Sequence, residues 1–382
     1  MSRPTQKPTM RDVSRLARVS PMTVSRVFTD PDTVAAPTRE RVLKAVEQLG
    51  YLPDLVAGAL SSRRTNFVGL ILPTLTNSNF GDTAQGLAEV LKADATQLLI
   101  GYTLYQVAEE ERLVRALLPR RPDAIVIAGS VHTAATRTLL DRAGIPVVEI
   151  WEQPDQPLDR AVGFSNFEVG RAAARHLIAL GHRKIGAIGP EADADLCDHR
   201  ADTRLKGFSS MLREAGLSDA LVLRHGLPPA SFEHGANAIG ALLARAPDVE
   251  AVFAVSDLAA FGAMMELKRR GIDVPGQISL IGFGNFEVGR LSYPAMTTIG
   301  VDARAIGAAA GTMLRALLKR DAQEAEVERN VDVGFTLIER ETTAPRTAAP
   351  AKARKRPTAA AAGNQPKTAA GPRRTQAARE TP

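Results

Sequence analysis

The sequence predicts a small all-α helix-turn-helix head, an α/β body of two doubly wound parallel sheets, and a disordered, basic C-terminal tail. Three observations predict it. Residues 9–51 show helical spacing in three short pieces. From Asn66 onward, short apolar runs alternate with segments of helix length, the mark of βαβ units. After about Ala344 the composition falls to Ala, Pro, Thr, Lys and Arg, which cannot bury enough apolar surface to offset ordering entropy.

In the head, "TMRDVSRLARV" places Met10, Val13, Leu16 and Ala17 on one face, with Thr9 as N-cap. The stretch "SPMTVSRVF" follows after a short turn. Ser20 is a good N-cap there, and Pro21 falls at the first helical position, where its missing N–H costs nothing. Val24, Val27 and Phe28 then point inward, while Met22, Thr23, Ser25 and Arg26 point outward. A third helix, "PTRERVLKAVEQLGY", turns Val42, Ala45, Val46 and Leu49 to one side and stops at Gly50. Two helices so closely linked are either an ordinary α-hairpin or a helix-turn-helix. In the latter, the first residues of the second helix meet base edges in the major groove. Arg26 then suits a guanine and Met22 a thymine methyl. Pro21 offers neither donor nor acceptor, so hydrogen-bonded readout falls to Arg26 and Thr23.

The body strands read as "FVGLIL", "QLLIG", "AIVIAG", "IPVVEIW", "KIGAIG", "ALVLRHG", "EAVFAV" and "ISLIGF". About ten strands over some 275 residues favour two lobes over one very wide sheet. Open α/β sheets bind ligands at the carboxyl ends of their strands, so a cleft between the lobes is expected.

Charge separates the parts. Residues 1–64 carry a net +5 and residues 345–382 a net +8, so the overall +6 leaves −7 for residues 65–344. A basic head and tail around an acidic body suit a polyanion bound at the ends, although the tail's charges also serve solubility alone. The single cysteine, Cys197, excludes an internal disulfide framework and fits a reducing cytoplasm. No run approaches the ~18 apolar residues of a membrane span, and the charged N-terminus is no secretory signal. A P-loop, a GxGxxG at a strand–helix junction, an HExxH and a CxxC are all missing, so no enzyme, metal or cofactor is expected.

"MRDVSRLARVSPMTVSRVF" and then "TRERVLKAVEQLGYLPDLVAGAL" resemble the DNA-binding head of the LacI/GalR family of bacterial transcription regulators. The resemblance continues through "GHRKIG", "RLKGF", "SDLAAFG" and "ISLIGF", covering roughly residues 8–340. It implies an arm over 1–8, a helix-turn-helix domain over 9–52 and a hinge over 53–65. A periplasmic-binding-protein-like effector and dimerisation domain over 66–344 and the tail over 345–382 complete the chain. It further implies a homodimeric, cytoplasmic repressor on palindromic double-stranded operator DNA, contacted through Pro21, Met22, Thr23, Ser25 and Arg26. In the hinge "PDLVAGALSS", the family's minor-groove leucine corresponds to Leu60. Asp54 stands where the family usually has asparagine.

Within the family the chain resembles the gluconate-operon repressors, through "GLILPTLTNSNF", "EERLVRALL", "IVIAGSVHT", "VGFSNFEVGR" and "DVGFTL". The resemblance implies a small-molecule effector, a sugar acid such as gluconate. Arg204 matches the family's effector-contacting arginine, and a guanidinium pairs best with a carboxylate. Many sugar-binding members carry an aspartate after the "ISLIGF" strand; here Gly284 and Asn285 remove that repulsion of an anion. The other candidates by position are Asn79, Phe80, His132, Thr133, Trp151, Asn166, Ser256 and Asp257. Phe80 and Trp151 also suit a core, Asp257 a helix cap, and His132 a structural role.

Overall fold

A computed structural model describes residues 8–52, 65–193, 195–319 and 327–346. Residues 1–7 of the expected arm (1–8), 53–64 of the expected hinge (53–65), Leu60 among them, and 347–382 of the expected tail (345–382) lie outside the described residues.

Three helices make the head: α1 (Met10–Ala17), α2 (Pro21–Thr29) and α3 (Ala36–Leu49). The Thr9 backbone N–H donates to Asp12 Oδ2 at 2.9 Å, closing the start of α1. Arg18 then takes a left-handed conformation (φ 54°), and Ser14 Oγ donates to the Val19 carbonyl at 2.6 Å, so the chain turns within two residues. Ser20 Oγ accepts from the Thr23 N–H at 3.1 Å, with Pro21 in the first turn of α2. Val13, Ala17, Val24, Val27, Val42, Ala45 and Tyr51 form the small core. Periodicity overstates the inward face at two positions. Leu16 is 48% exposed and Phe28 36% exposed, because both fall at the margin of their stripes and the smaller side chains already close the core.

The body holds two six-stranded sheets. The first contains β1 (Phe67–Leu72), β2 (Gln97–Tyr102), β3 (Ala124–Ala128), β4 (Val147–Ile150), β5 (Arg160–Gly163) and β11 (Asn330–Asp332), in the order β11-β5-β4-β3-β1-β2. The second contains β6 (Ile185–Gly189), β7 (Val222–Arg224), β8 (Ala251–Ala254), β9 (Ser279–Phe283), β10 (Thr297–Gly300) and β12 (Thr336–Ile338), in the order β12-β10-β9-β8-β6-β7. Every pairing is parallel except β10 with β12, which runs antiparallel. Central strands such as β1, β3 and β8 are buried on both faces, which is why they read as unbroken apolar runs.

The helices of the first sheet are α4 (Ser78–Leu91), α5 (Val107–Leu117) and α6 (Ala134–Ala143). Those of the second are α8 (His199–Glu214), α9 (Phe232–Arg245), α10 (Asp257–Arg269) and α11 (Glu287–Leu291). Two further helices cross over. The chain leaves β5 through α7 (Asn166–Ala179), which packs on α8 beside the second sheet. It leaves β10 through α12 (Ala303–Leu318), which packs on α4 beside the first sheet and leads to β11. A third crossing passes through Gly334 (φ 65°) into β12.

The crossing helices lie unusually close to their partners. A Cβ on Gly170 of α7 would fall 1.9 Å from the Arg204 carbonyl oxygen, and one on Gly207 of α8 would fall 1.9 Å from that of Phe167. Two glycines facing each other's backbones thus set the depth of α8 against α7, and with it the position of Arg204. No helix among the described residues is long and apolar enough to cross a membrane.

Candidate functional site

The carboxyl ends of strands from both sheets meet around a cavity that, with its open mouth, holds about 640 Å³. Thr74, Thr76 and Asn77 reach it from the loop after β1, and Asn79 and Phe80 from the first turn of α4. Trp151 comes from the end of β4. Asp198, Arg200 and Arg204 come from the start of α8, and Ser256, Phe283 and Phe286 from the ends of β8 and β9.

Aromatic rings form one wall. Phe80 meets Trp151 edge-on at 5.3 Å, Trp151 meets Phe164 at 5.9 Å, and Phe164 meets Phe283 at 5.9 Å. Trp151 Nε1 donates to Thr83 Oγ1 at 3.1 Å, so the indole is pinned from behind.

Arg204 is buried, with its guanidinium carbon 4.2 Å from the centroid of the Phe283 ring. Its Nη1 donates to Asn166 Oδ1 at 2.5 Å, and Asn166 Nδ2 donates to the Trp151 carbonyl at 2.9 Å. Asn166 therefore stands behind the arginine and fixes its plane. Arg204 Nε has no hydrogen-bond partner, and no carboxylate forms an ion pair with it among the described residues. Burial is the main cause that pulls its pKa down, to about 10, while the nearby Asp198 charge opposes that fall. Arg200, one turn earlier, lies 3.6 Å from Asp198 Oδ1 and 5.7 Å from the Phe80 centroid. Asp198 is also the N-cap of α8, accepting from the Ala201 N–H at 3.1 Å.

The remaining candidates lie elsewhere. Asp257 is fully buried beneath the wall: Oδ1 accepts from Thr298 Oγ1 at 2.7 Å, and Oδ2 from the Phe286 N–H at 2.9 Å. Burial raises its pKa to about 6 against those hydrogen bonds. Asn285 lines a separate groove, and Arg340 Nη2 donates to its Oδ1 at 2.7 Å. The His132 side chain is enclosed between Glu110 (Nδ1–Oε1 2.7 Å) and Glu149 (Nε2–Oε1 3.0 Å). Burial lowers its pKa, but the bonds to the two glutamates and their charges outweigh that effect and raise it to about 9. Thr133 caps α6 and donates to Glu111 Oε2 at 2.8 Å. The sequence reading missed Thr74, Thr76, Asn77, Tyr105, Asp198 and Arg200. Arg200 carried a legible signal, since it sits four residues before Arg204 on one helix face.

In the head, Met22 (66% exposed) and Arg26 lie open on α2, with Pro21 exposed and Thr23 and Ser25 half-buried. Thr23 Oγ1 sits 2.9 Å from Ser20 Oγ, so part of its hydrogen-bonding capacity is spent on the cap.

Residues 9–54 match the model for bacterial regulatory proteins of the lacI family, and residues 174–343 that for a periplasmic binding protein-like domain. The HTH-type transcriptional regulator GntR of Pseudomonas aeruginosa is 34% identical over 342 residues, spanning 90% of this chain and 97% of that protein. The regulator of the same name from Escherichia coli is 30% identical over 332 residues, spanning 87% and 97%. Among solved structures, a LacI-family transcriptional regulator from Silicibacter pomeroyi superposes with a TM-score of 0.80 at 35% identity, covering 88% of this chain and 99% of that one.

Proposed function

The chain belongs to the lacI family of bacterial regulatory proteins, DNA-binding transcriptional regulators, and from that premise we propose a homodimeric repressor released from a palindromic operator by a sugar acid such as gluconate. The observation that carries the effector class is Arg204. A buried guanidinium with an unpartnered Nε and no carboxylate partner is costly, and a ligand carboxylate removes that cost with charge-assisted hydrogen bonds. The threonines, asparagines and Ser256 around it supply the hydroxyl-binding groups that a polyol chain needs.

Domain closure on the effector changes operator affinity only through a difference in ligand affinity between the two arrangements. A typical coupling of about 1–3 kcal/mol corresponds to about 5–150-fold in operator affinity. Met22, Thr23, Ser25 and Arg26 are the groups of α2 that read bases, with Pro21 starting the helix. The apolar side chains left bare on the edge strand β2 (Leu99, Ile100 and Tyr102), and Tyr293 at 87% exposure, support a second copy as partner.

The test is a gel shift with the DNA upstream of its own gene, with and without gluconate. A retarded band that gluconate dissolves is the expected result. No band on any promoter fragment overturns DNA binding. A band indifferent to every sugar acid overturns the effector class.

A further inference from the structure

The cleft does not end at Arg200. Tyr105 and Arg200 line the main cavity on one side and a second chamber on the other, which holds about 380 Å³ with its mouth. Thr103, Gln106, Glu110, Ser130, Glu152 and His199 add further polar groups to the lining of that chamber. Glu152 reaches it because Gly163 lets the chain pass: a Cβ on Gly163 would fall 2.2 Å from the Glu152 carbonyl oxygen.

The two chambers differ in charge. In the main cavity Arg200 is matched by Asp198, and Arg204 is left without a carboxylate. In the second chamber, Glu152 accepts a hydrogen bond from Ser130 Oγ and forms no ion pair among the described residues. Behind it, Glu110 and Glu149 share the one imidazolium of His132, so that cluster keeps a net negative charge while His132 is protonated. The Glu152 charge is close enough to act on Arg204. The cleft therefore runs from an unmatched cation to an unmatched anion, with Arg200 between them.

We propose that Glu152 makes this cleft selective for polyols with a single carboxylate, aldonates, over the corresponding dicarboxylates, aldarates. The proposal rests on the reading above that a ligand carboxylate docks on Arg204. With that end fixed, the hydroxyls at the far end donate to Glu152, whose carboxylate only accepts. A second carboxylate there brings two like charges together and replaces the terminal hydroxyl donor that Glu152 accepts from. Glu152 acts as a specificity determinant: neutralising it relaxes the choice between ligands.

The experiment is calorimetric titration of the full-length protein with gluconate and with glucarate, two six-carbon polyols that differ in the oxidation of C6. Wild type is expected to bind gluconate at least about tenfold more tightly than glucarate. Glu152→Gln should bring the ratio toward one, mainly by gaining glucarate affinity. Glu152→Asp, which keeps the charge, should retain the rejection and covers the case in which the glutamine variant does not fold. Equal wild-type affinities, or an unchanged ratio in folded Glu152→Gln, overturn the proposal while leaving the sugar-acid effector standing. Binding of neither acid by protein that still retards operator DNA overturns both.

Discussion

The Asn79 side-chain amide, in the first turn of α4 beside the first sheet, donates to the Gly284 carbonyl oxygen, in the loop after β9 of the second, at 3.1 Å. The bond is buried and joins the two sheet domains at the edge of the cleft. Gly284 has φ 119°, and Asp257 holds the same loop from below through the Phe286 N–H. A bond made in one domain arrangement and broken in another biases the equilibrium between them by its net worth, about 1 kcal/mol. Asn79→Ala is therefore expected to raise the gluconate concentration at half-release about fivefold. Effector titration of the gel shift measures this.

Arg204→Gln removes the one unmatched cation of the main cavity while keeping a hydrogen-bonding side chain. A loss of about 100-fold in sugar-acid affinity is expected, with operator retardation in the absence of effector retained. Calorimetry for the first and gel shift for the second separate a ligand contact from a folding defect.

His132 makes stability depend on pH. Its pKa is about 9 in the folded chain against 6.5 unfolded, so the folded state holds the proton more tightly. The stabilisation is fully present below pH 6.5 and is lost as pH rises through 9, to a total of about 3 kcal/mol at most. Denaturant titrations at pH 6.5 and 9 should show that loss in wild type and a flatter profile in His132→Gln. The variant should also be about 3–5 kcal/mol less stable at pH 6.5, since it leaves two buried glutamates without their cation.

Arg26→Ala is expected to cost about 1–3 kcal/mol of specific operator binding and to relax preference at one base position. Pro21→Ala should weaken only the start of α2. Gel shifts on matched and mismatched operators distinguish them, and equal losses from both substitutions count against this division of roles.

Most of the architecture was legible because each element obeys one local rule. Pro21 behind the Ser20 cap marked α2, and the apolar runs marked the buried strands. The cleft was legible only in part. Asn79, Phe80, Trp151, Arg204 and Ser256 line it, whereas Asp257 and Asn166 stand one layer behind and act through the Phe286 loop and through Arg204. Position along the chain locates a strand end but not which of two neighbouring side chains turns toward solvent. Asp198 and Tyr105 were silent for another reason: the capping role of one and the place of the other between two chambers appear only once α8 and the β2 loop are packed together. Burial raises the Tyr105 pKa, so the phenol stays neutral between the two chambers.

The exchange of helices has a genetic consequence. The first sheet is closed by α12 and β11, which the chain delivers only after it has built β10, and α8 packs on α7, which follows directly from β5. No single cut yields one finished domain and one remainder. A stop codon anywhere before residue 330 removes the edge strand of the first sheet along with β12 of the second. Nonsense alleles across the body are thus expected to behave alike, as losses of the whole molecule. A working fragment of either half has to be assembled from two separate stretches of the gene.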